Sequence, residues 1–165
     1  MELNLNEFKI NLQNHLDSFA FEEATKLCNE LISSLFQTTQ PIPTKEAEKI
    51  LQWLRNKRMF SLMLKVADAF LQSGLESYKI NRQYAQALID LGSYTSAISI
   101  LQNLISKINS EFPTDFNSHP EYIEAKGLLG RLYKQLYVNV KNPSFPQSID
   151  FLRKGISTYY DVYKI

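Results

Sequence analysis

Apolar residues recur three and four positions apart along almost the whole chain, and nowhere do apolar and polar residues alternate for long. That is the period of helices and not of strands. Eight helices are predicted, over residues 3–16, 20–36, 44–57, 59–72, 78–91, 94–109, 121–138 and 145–164. The breaks between them are rich in Pro, Asn, Ser and Thr. "QTTQPIP" (37–43) is a loop that leaves Thr44 as an N-cap for the next helix, and "NSEFPTDFNSHP" (109–120) sets Pro120 near the first turn of another. In "NPSFPQS" (142–148), Ser144 followed three positions later by Gln147 reads as a capping box.

Short turns between eight helices fit either a bundle or a solenoid, and internal repetition decides between them. The clearest unit is "YAQALIDLGSYTSAISILQNLI" (84–105), where Leu91-Gly92 closes one helix and Tyr94, Ala97 and Leu101 share a face of the next. This resembles the tetratricopeptide pattern, in which a small residue of the second helix lets the first pack closely. Thirty-four residues earlier stand Phe60, Met63 and Ala67. A further step back, across the longer 37–43 loop, gives Phe21, Ala24 and Cys28, and a step forward gives Phe145, Ser148 and Leu152. The expected architecture is all-α: a right-handed α-solenoid of about four degenerate tetratricopeptide-like helix pairs, in one domain spanning 1–165. Cys28 falls at a packed position of the repeat and reads as core, as do the aromatics at helical spacing.

Composition narrows the function. Eighteen Lys and Arg against 17 Asp and Glu give no global excess of charge, which argues against a nucleic-acid or anionic-membrane partner. The short basic cluster "RNKR" (55–58) reads as a solvated turn. A single cysteine excludes a disulfide framework and a thiolate metal cluster. The opening "MELNLNEFKI" carries acid where a leader would carry base, and no apolar run is long enough to span a membrane, so a cytoplasmic protein is expected. Phosphate-binding, dinucleotide, zincin and nucleophile-elbow motifs are missing from the sequence. His15 and His119 are over a hundred residues apart, and a capping or solvated role suits them better than a metal. Glu22-Glu23 and Glu46-Glu48 read as solvated faces or partners of helix dipoles. No catalytic residue, metal ligand or cofactor is therefore expected.

Charge is nevertheless sorted by face. If the first helix of each pair lines a concave surface, its exposed positions follow from 3.6 residues per turn. They are Lys45, Glu48, Lys49, Gln52, Arg55 and Asn56 in the second repeat, then Lys79, Arg82, Gln83, Gln86, Ile89 and Asp90 in the third. In the fourth they are Glu124, Gly127, Leu128, Arg131, Lys134 and Gln135. These eighteen places hold seven basic and three acidic residues, leaving eleven basic and fourteen acidic elsewhere. A basic, amide-rich groove suits an anionic ligand with hydrogen-bonding groups; the same pattern also fits ordinary solvated helix faces. Within "EAKGLLGRLYKQLYV" (124–138), Gly130 falls where the repeat wants a small residue for packing. Gly127 lies on the groove face, where the missing side chain leaves room beside Arg131 and Lys134.

"ESYKINRQYAQALIDLG" (76–92), "AKGLLGRLYKQLYV" (125–138) and "SIDFLRKGISTYYDVY" (148–163) resemble the TRAFs-binding tetratricopeptide domain of the central regulatory region of apoptosis signal-regulating kinases. "GRLYK" (130–134) carries most of the likeness, "RQYAQALID" (82–90) is closer to the bacterial branch, and the likeness spans 44–165. Bacterial members are coupled to trypsin-like, caspase-like or other effectors and have been proposed to sense nucleotide-derived signals in antiviral conflict. The resemblance thus implies a sensor or adaptor that relays a signal to an effector protein. By position, the candidate ligand contacts are Arg82, Gln86, Arg131 and Lys134, with Lys79, Gln83 and Tyr133 as second choices. Lys45, Lys49 and Arg55 form the groove periphery. Arg82 and Arg131 sharing one phosphate would mark a small-ligand sensor; use of the whole groove would mark a scaffold for an acidic or phosphorylated segment of a partner. Tyr159, Tyr160 and Tyr163 at helical spacing suggest that the last helix caps the solenoid or meets a partner or a second copy.

Overall fold

The computed structural model describes residues 4–37, 41–140 and 144–163, with the Tyr163 side chain left out. Leu3, the middle of the 37–43 loop, the start of the 142–148 loop and the Tyr163 ring therefore lie outside the described residues. Every described residue that is regular is helical. The helices are α1 Leu5–Asp17, α2 Phe21–Leu35, α3 Thr44–Asn56, α4 Phe60–Gln72, α5 Tyr78–Asp90, α6 Tyr94–Glu111, α7 Pro120–Asn139 and α8 Pro146–Tyr163. Their ends fall within two residues of the predicted ones.

Two compact units divide the chain, Met1–Leu91 and Gly92–Ile165. In the first, α1 packs on α2 and α3, α2 on α4, α3 on α4 and α5, and α4 on α5. This is the ladder expected when each helix pair can bury its apolar face only against the next. Phe8, Leu12 and Leu16 of α1 meet Ala24, Cys28 and Leu31 of α2, Ile50, Leu51 and Leu54 of α3, and Met63, Val66 and Phe70 of α4 in one core. In the second unit α7 packs on both α6 and α8. The repeat positions behave as aligned: Ala24, Met63, Ala97 and Ser148 are all buried, as are Cys28, Ala67 and Leu101. Leu152 departs from the pattern and is exposed.

Three turns of the first unit close alike. The amide of Ala20 donates to the His15 carbonyl at 2.8 Å, Met59 to Leu54 at 3.0 Å and Leu75 to Phe70 at 3.1 Å. Each bond spans a residue with positive φ, namely Phe19 (58°), Arg58 (57°) and Gly74 (87°), which is how a left-handed residue ends a helix and caps its last carbonyls. "RNKR" is thus half helix and half turn: Arg55 and Asn56 end α3, Arg58 supplies the left-handed residue, and Lys57 pairs with Asp17 at 3.1 Å and lies 4.9 Å from the centre of the Phe19 ring.

Two predicted caps move by one residue. Pro43, not Thr44, caps α3, because its extended backbone (ψ 131°) precedes the helix and its carbonyl accepts from Glu46 and Ala47 at 2.9 and 3.2 Å. At α8 the Phe145 carbonyl accepts from Ser148 and Ile149 at 2.9 and 3.1 Å. Phe145 therefore stands at the N-cap position by its backbone, one residue after Ser144; Pro146 takes the first helical position, where a missing N–H costs nothing. His119 does cap, its Nδ1 accepting from the Glu121 amide at 3.2 Å ahead of Pro120.

Candidate functional site

The α7 helix starts where His119 and Pro120 place it and buries Tyr122, Ala125, Leu129, Gly130, Leu132 and Tyr133. At 100° per residue, Glu124, Gly127, Arg131, Lys134 and Gln135 share the opposite side. Of these, Glu124, Arg131, Lys134 and Gln135 are exposed. Leu128, assigned to the same side from sequence, is buried. Arg131 and Lys134, one turn apart, have no ion pair among the described residues, and Gln135 donates to Asn139 at 2.8 Å. A Cβ built on Gly127 meets nothing within 4 Å. The backbone at Gly127 is thus uncovered by any side chain of its own, with a guanidinium one turn and an ammonium two turns beyond it on the same side.

Gly130 has the other role expected of it. A Cβ there would lie 3.2 Å from three atoms of the Tyr159 ring. From α8, a Cβ on Gly155 would lie 3.6 Å from the Lys134 amide nitrogen and 3.7 Å from the Gly130 carbonyl oxygen. Two glycines and buried Ser148 let α7 and α8 cross closely, and that crossing fixes the part of α7 that carries Arg131 and Lys134.

Tyr133 lies elsewhere. Two residues from Arg131 is 200° around the helix, so its ring enters a polar cavity of about 670 Å³ bounded by α6, α7 and α8. There its hydroxyl accepts from Gln102 Nε2 at 3.1 Å, and Lys154 lies 6.0 Å from the ring centre. Asp150, 2.6 Å from Lys154 Nζ, holds that ammonium above the ordinary lysine range. Lys126 is paired with Asp161 at 3.0 Å on the rim.

In the first unit the groove residues are partly neutralised. Lys49 pairs with Glu46 at 3.3 Å, and Lys79 with Glu48 at 3.6 Å. Glu48 also accepts from Ser77 Oγ at 2.7 Å, where Ser77 caps α5 by accepting from the Ile80 amide at 3.2 Å. Glu46 is held below the usual carboxylate range by Lys9 at 2.6 Å, against the opposing effect of burial, with Lys49 adding to the lowering. Lys45 is exposed and Arg55 half-buried, neither with an ion pair among the described residues. Arg82 is half-buried and makes interactions of its own.

Gln83 and Gln86 are 1% and 2% exposed, so neither amide faces solvent. Gln83 Nε2 donates to the Glu48 carbonyl at 3.1 Å and Gln86 Nε2 to Asp90 at 2.8 Å. The buried arc of α5 is broad, from Ile80 through Leu88, which is why a face assigned from spacing alone includes positions inside the packing.

Sequence reasoning missed a second cavity, of about 590 Å³, between α1 and α2, lined by Asn4, Glu7, Asn11, Glu30 and Ser33 among others. The Asn and Ser residues at helical spacing were the only available signal. Among the described residues no group of three His, Cys, Asp or Glu could hold a metal, and no helix is long and apolar enough to cross a membrane.

Residues 56–165 match a family model described as Tetratricopeptide Repeats-Sensor. No curated protein matches the chain. Two solved structures of nearly identical TPR-like repeats, from a Podosopora anserina protein described as a kinesin light chain, are similar over most of their length. One aligns with a TM-score of 0.59 at 12% identity, covering 98% of this chain and 77% of that one. The other gives 0.59 and 12% over 94% and 74%. At that identity the likeness establishes the fold, an α-solenoid type built from helix pairs. Fold and family model together indicate a repeat-based sensor or interaction scaffold.

Proposed function

The chain belongs to the Tetratricopeptide Repeats-Sensor family, and on that premise we propose that it is a non-enzymatic sensor. Its ligand is a small anionic signal, nucleotide-derived, held on α7 by Arg131 and Lys134 against the bare backbone at Gly127. Binding is relayed to an effector protein, protease-like or other, in a cytoplasmic antiviral defence of bacterial type. Kinship with the TRAFs-binding domains is part of this reading. The ligand acts by binding one arrangement of the protein more tightly than another, since equal affinity would shift nothing.

One observation carries the reading: two cations with no ion pair among the described residues stand one and two turns beyond a helical glycine whose Cβ would meet open space. A glycine inside a helix costs about 1 kcal/mol against alanine, and at Gly127 no packing contact offsets it. Close approach of a ligand to the backbone would. The pairing of Lys49 and Lys79 with Glu46 and Glu48 further weakens the first unit as an anion site.

A second reading, a scaffold for an acidic or phosphorylated segment of a partner protein, is favoured by Lys45 and Arg55, which carry no ion pair among the described residues. Single charge reversals separate the two. Loss of nucleotide binding with Arg131→Glu or Lys134→Glu, and none with Lys45→Glu or Arg55→Glu, supports the sensor. Graded loss of partner binding at all four positions, with no nucleotide bound by the wild type, supports the scaffold.

A further inference from the structure

The α8 helix exposes one apolar stripe along its length: Phe145, Ile149, Leu152, Ile156 and Tyr160 are between 37 and 61% exposed. Their spacing of four, three, four and four residues keeps them on one face. The aligned positions of α6 are Tyr94, Ile98, Leu101, Ile105 and Asn109, and none of these is exposed in the unit where α7 packs on α6. The α8 stripe thus occupies the positions of a repeat-to-repeat contact, and no described helix covers it.

We propose that this stripe is a homodimer interface, on which a second copy of the chain lays its own α8 antiparallel. Three features argue for a second copy as the occupant. The stripe matches its own reverse: Phe145 falls opposite Tyr160, Ile149 opposite Ile156, and Leu152 beside its own mate at the two-fold axis. Such self-complementarity is what an isologous contact requires. Charge agrees as well. Asp150 and Arg153 are exposed on one flank of the stripe. At 1.5 Å rise per residue the pairing sets each Asp150 about 3 Å along the axis from Arg153 of the other copy, in the order Asp, Arg, Arg and Asp with the two Asp150 outermost. Area is sufficient too. Side chains of roughly 200 Å² each, about half exposed, offer about 500 Å² per copy, and about 1,000 Å² for the pair is the floor for a specific interface. The interface is independent of any ligand on α7.

Sedimentation of the full chain at tens of micromolar tests it. A dimer of about twice 19.1 kDa is expected. Ile149→Glu and Ile156→Glu should each weaken it at least tenfold while keeping the helical circular-dichroism spectrum, and Ile156→Leu should leave it intact. The arrangement is read by cross-linking: because Cys28 is fully buried, an introduced cysteine is the one accessible thiol. Under a mild copper–phenanthroline oxidant Leu152→Cys should form a disulfide-linked dimer and Phe145→Cys should not. A monomeric wild type, a dimer indifferent to both Glu substitutions, or efficient Phe145→Cys linkage, which reports parallel helices, would overturn the proposal.

Discussion

Alanine placed at the two glycines of α7 should have opposite consequences. Both sit in one helix, three residues apart, so helix propensity alone offers each substitution about 1 kcal/mol. At Gly127 the new methyl meets nothing within 4 Å, and that gain should appear in full. For a chain of this size it corresponds to a rise of roughly 2–4 °C in melting temperature. At Gly130 the methyl would stand 3.2 Å from Cδ1, Cε1 and Cζ of Tyr159, inside the optimum of roughly 3.5–4.0 Å for carbon pairs. Overfilling a packed contact costs about 1–3 kcal/mol, so Gly130→Ala should fall between neutral and about 2 kcal/mol destabilising. The two variants should therefore differ by at least about 1 kcal/mol in urea unfolding followed by circular dichroism. Tyr159→Leu should close the gap: in that background Gly130→Ala should be better tolerated, and the double-mutant cycle should show positive coupling. Equal stabilisation by both alanines, or zero coupling to Tyr159, would refute the assignment of packing to one glycine and open surface to the other.

Other consequences follow from groups already described. Burial pushes the Cys28 thiol up to about 12, so iodoacetamide at pH 8 should label it only at the rate of unfolding; rapid native-state labelling would contradict its place in the core. The Glu46 carboxyl is held low chiefly by Lys9, so its contribution is present above the ordinary glutamate range and is lost as pH falls through its lowered folded value. Carboxyl NMR titration of Lys9→Met should show that value moving back up, and an unchanged titration would remove Lys9 as the cause. Arg58 holds φ 57° in the α3–α4 turn, a conformation costing roughly 1–2 kcal/mol for a residue with a Cβ. Arg58→Gly should stabilise by up to about 1 kcal/mol, and a loss in chemical denaturation would show that the side chain outweighs its backbone strain.

Element existence was legible because apolar spacing runs through every helix and turn residues mark several of the breaks: the Gly74 and Gly92 turns and the Pro120 start announce themselves, whereas the turns at Phe19 and Arg58 carry no glycine. What spacing could not supply was depth. Gln83 and Gln86 carry polar side chains at positions that helical geometry puts beside solvent, yet α5 is buried over a broad arc. Only the number of helices packed around it decides that. Tyr133 misled for a different reason. Its place in "GRLYK" associated it with Arg131 and Lys134 in sequence, whereas 200° of rotation sends it to the α6–α7–α8 cavity. The packing role of Gly130, by contrast, was readable from register alone, since it aligned with the small packing position of the repeat. The pairing of Lys79 with Glu48 depends on side-chain reach from α5 to α3, which no one-dimensional pattern records, whereas Lys49 and Glu46 are an i,i+3 pair within α3 that spacing alone can show.

The most direct test of the sensor reading is a thermal-shift screen of the full chain against cyclic nucleotides, ADP-ribose derivatives and common nucleotides, run beside Arg131→Glu and Gly127→Leu. A ligand at a hundred times its dissociation constant stabilises by about 2.7 kcal/mol, several degrees for a protein of this size. The account predicts one such compound, with the shift abolished in both variants: one by charge and the other by filling the gap beside it. A shift that survives both substitutions would place the ligand away from α7 and contradict the claim, and a screen with no shift at all would remove the nucleotide-sensor reading.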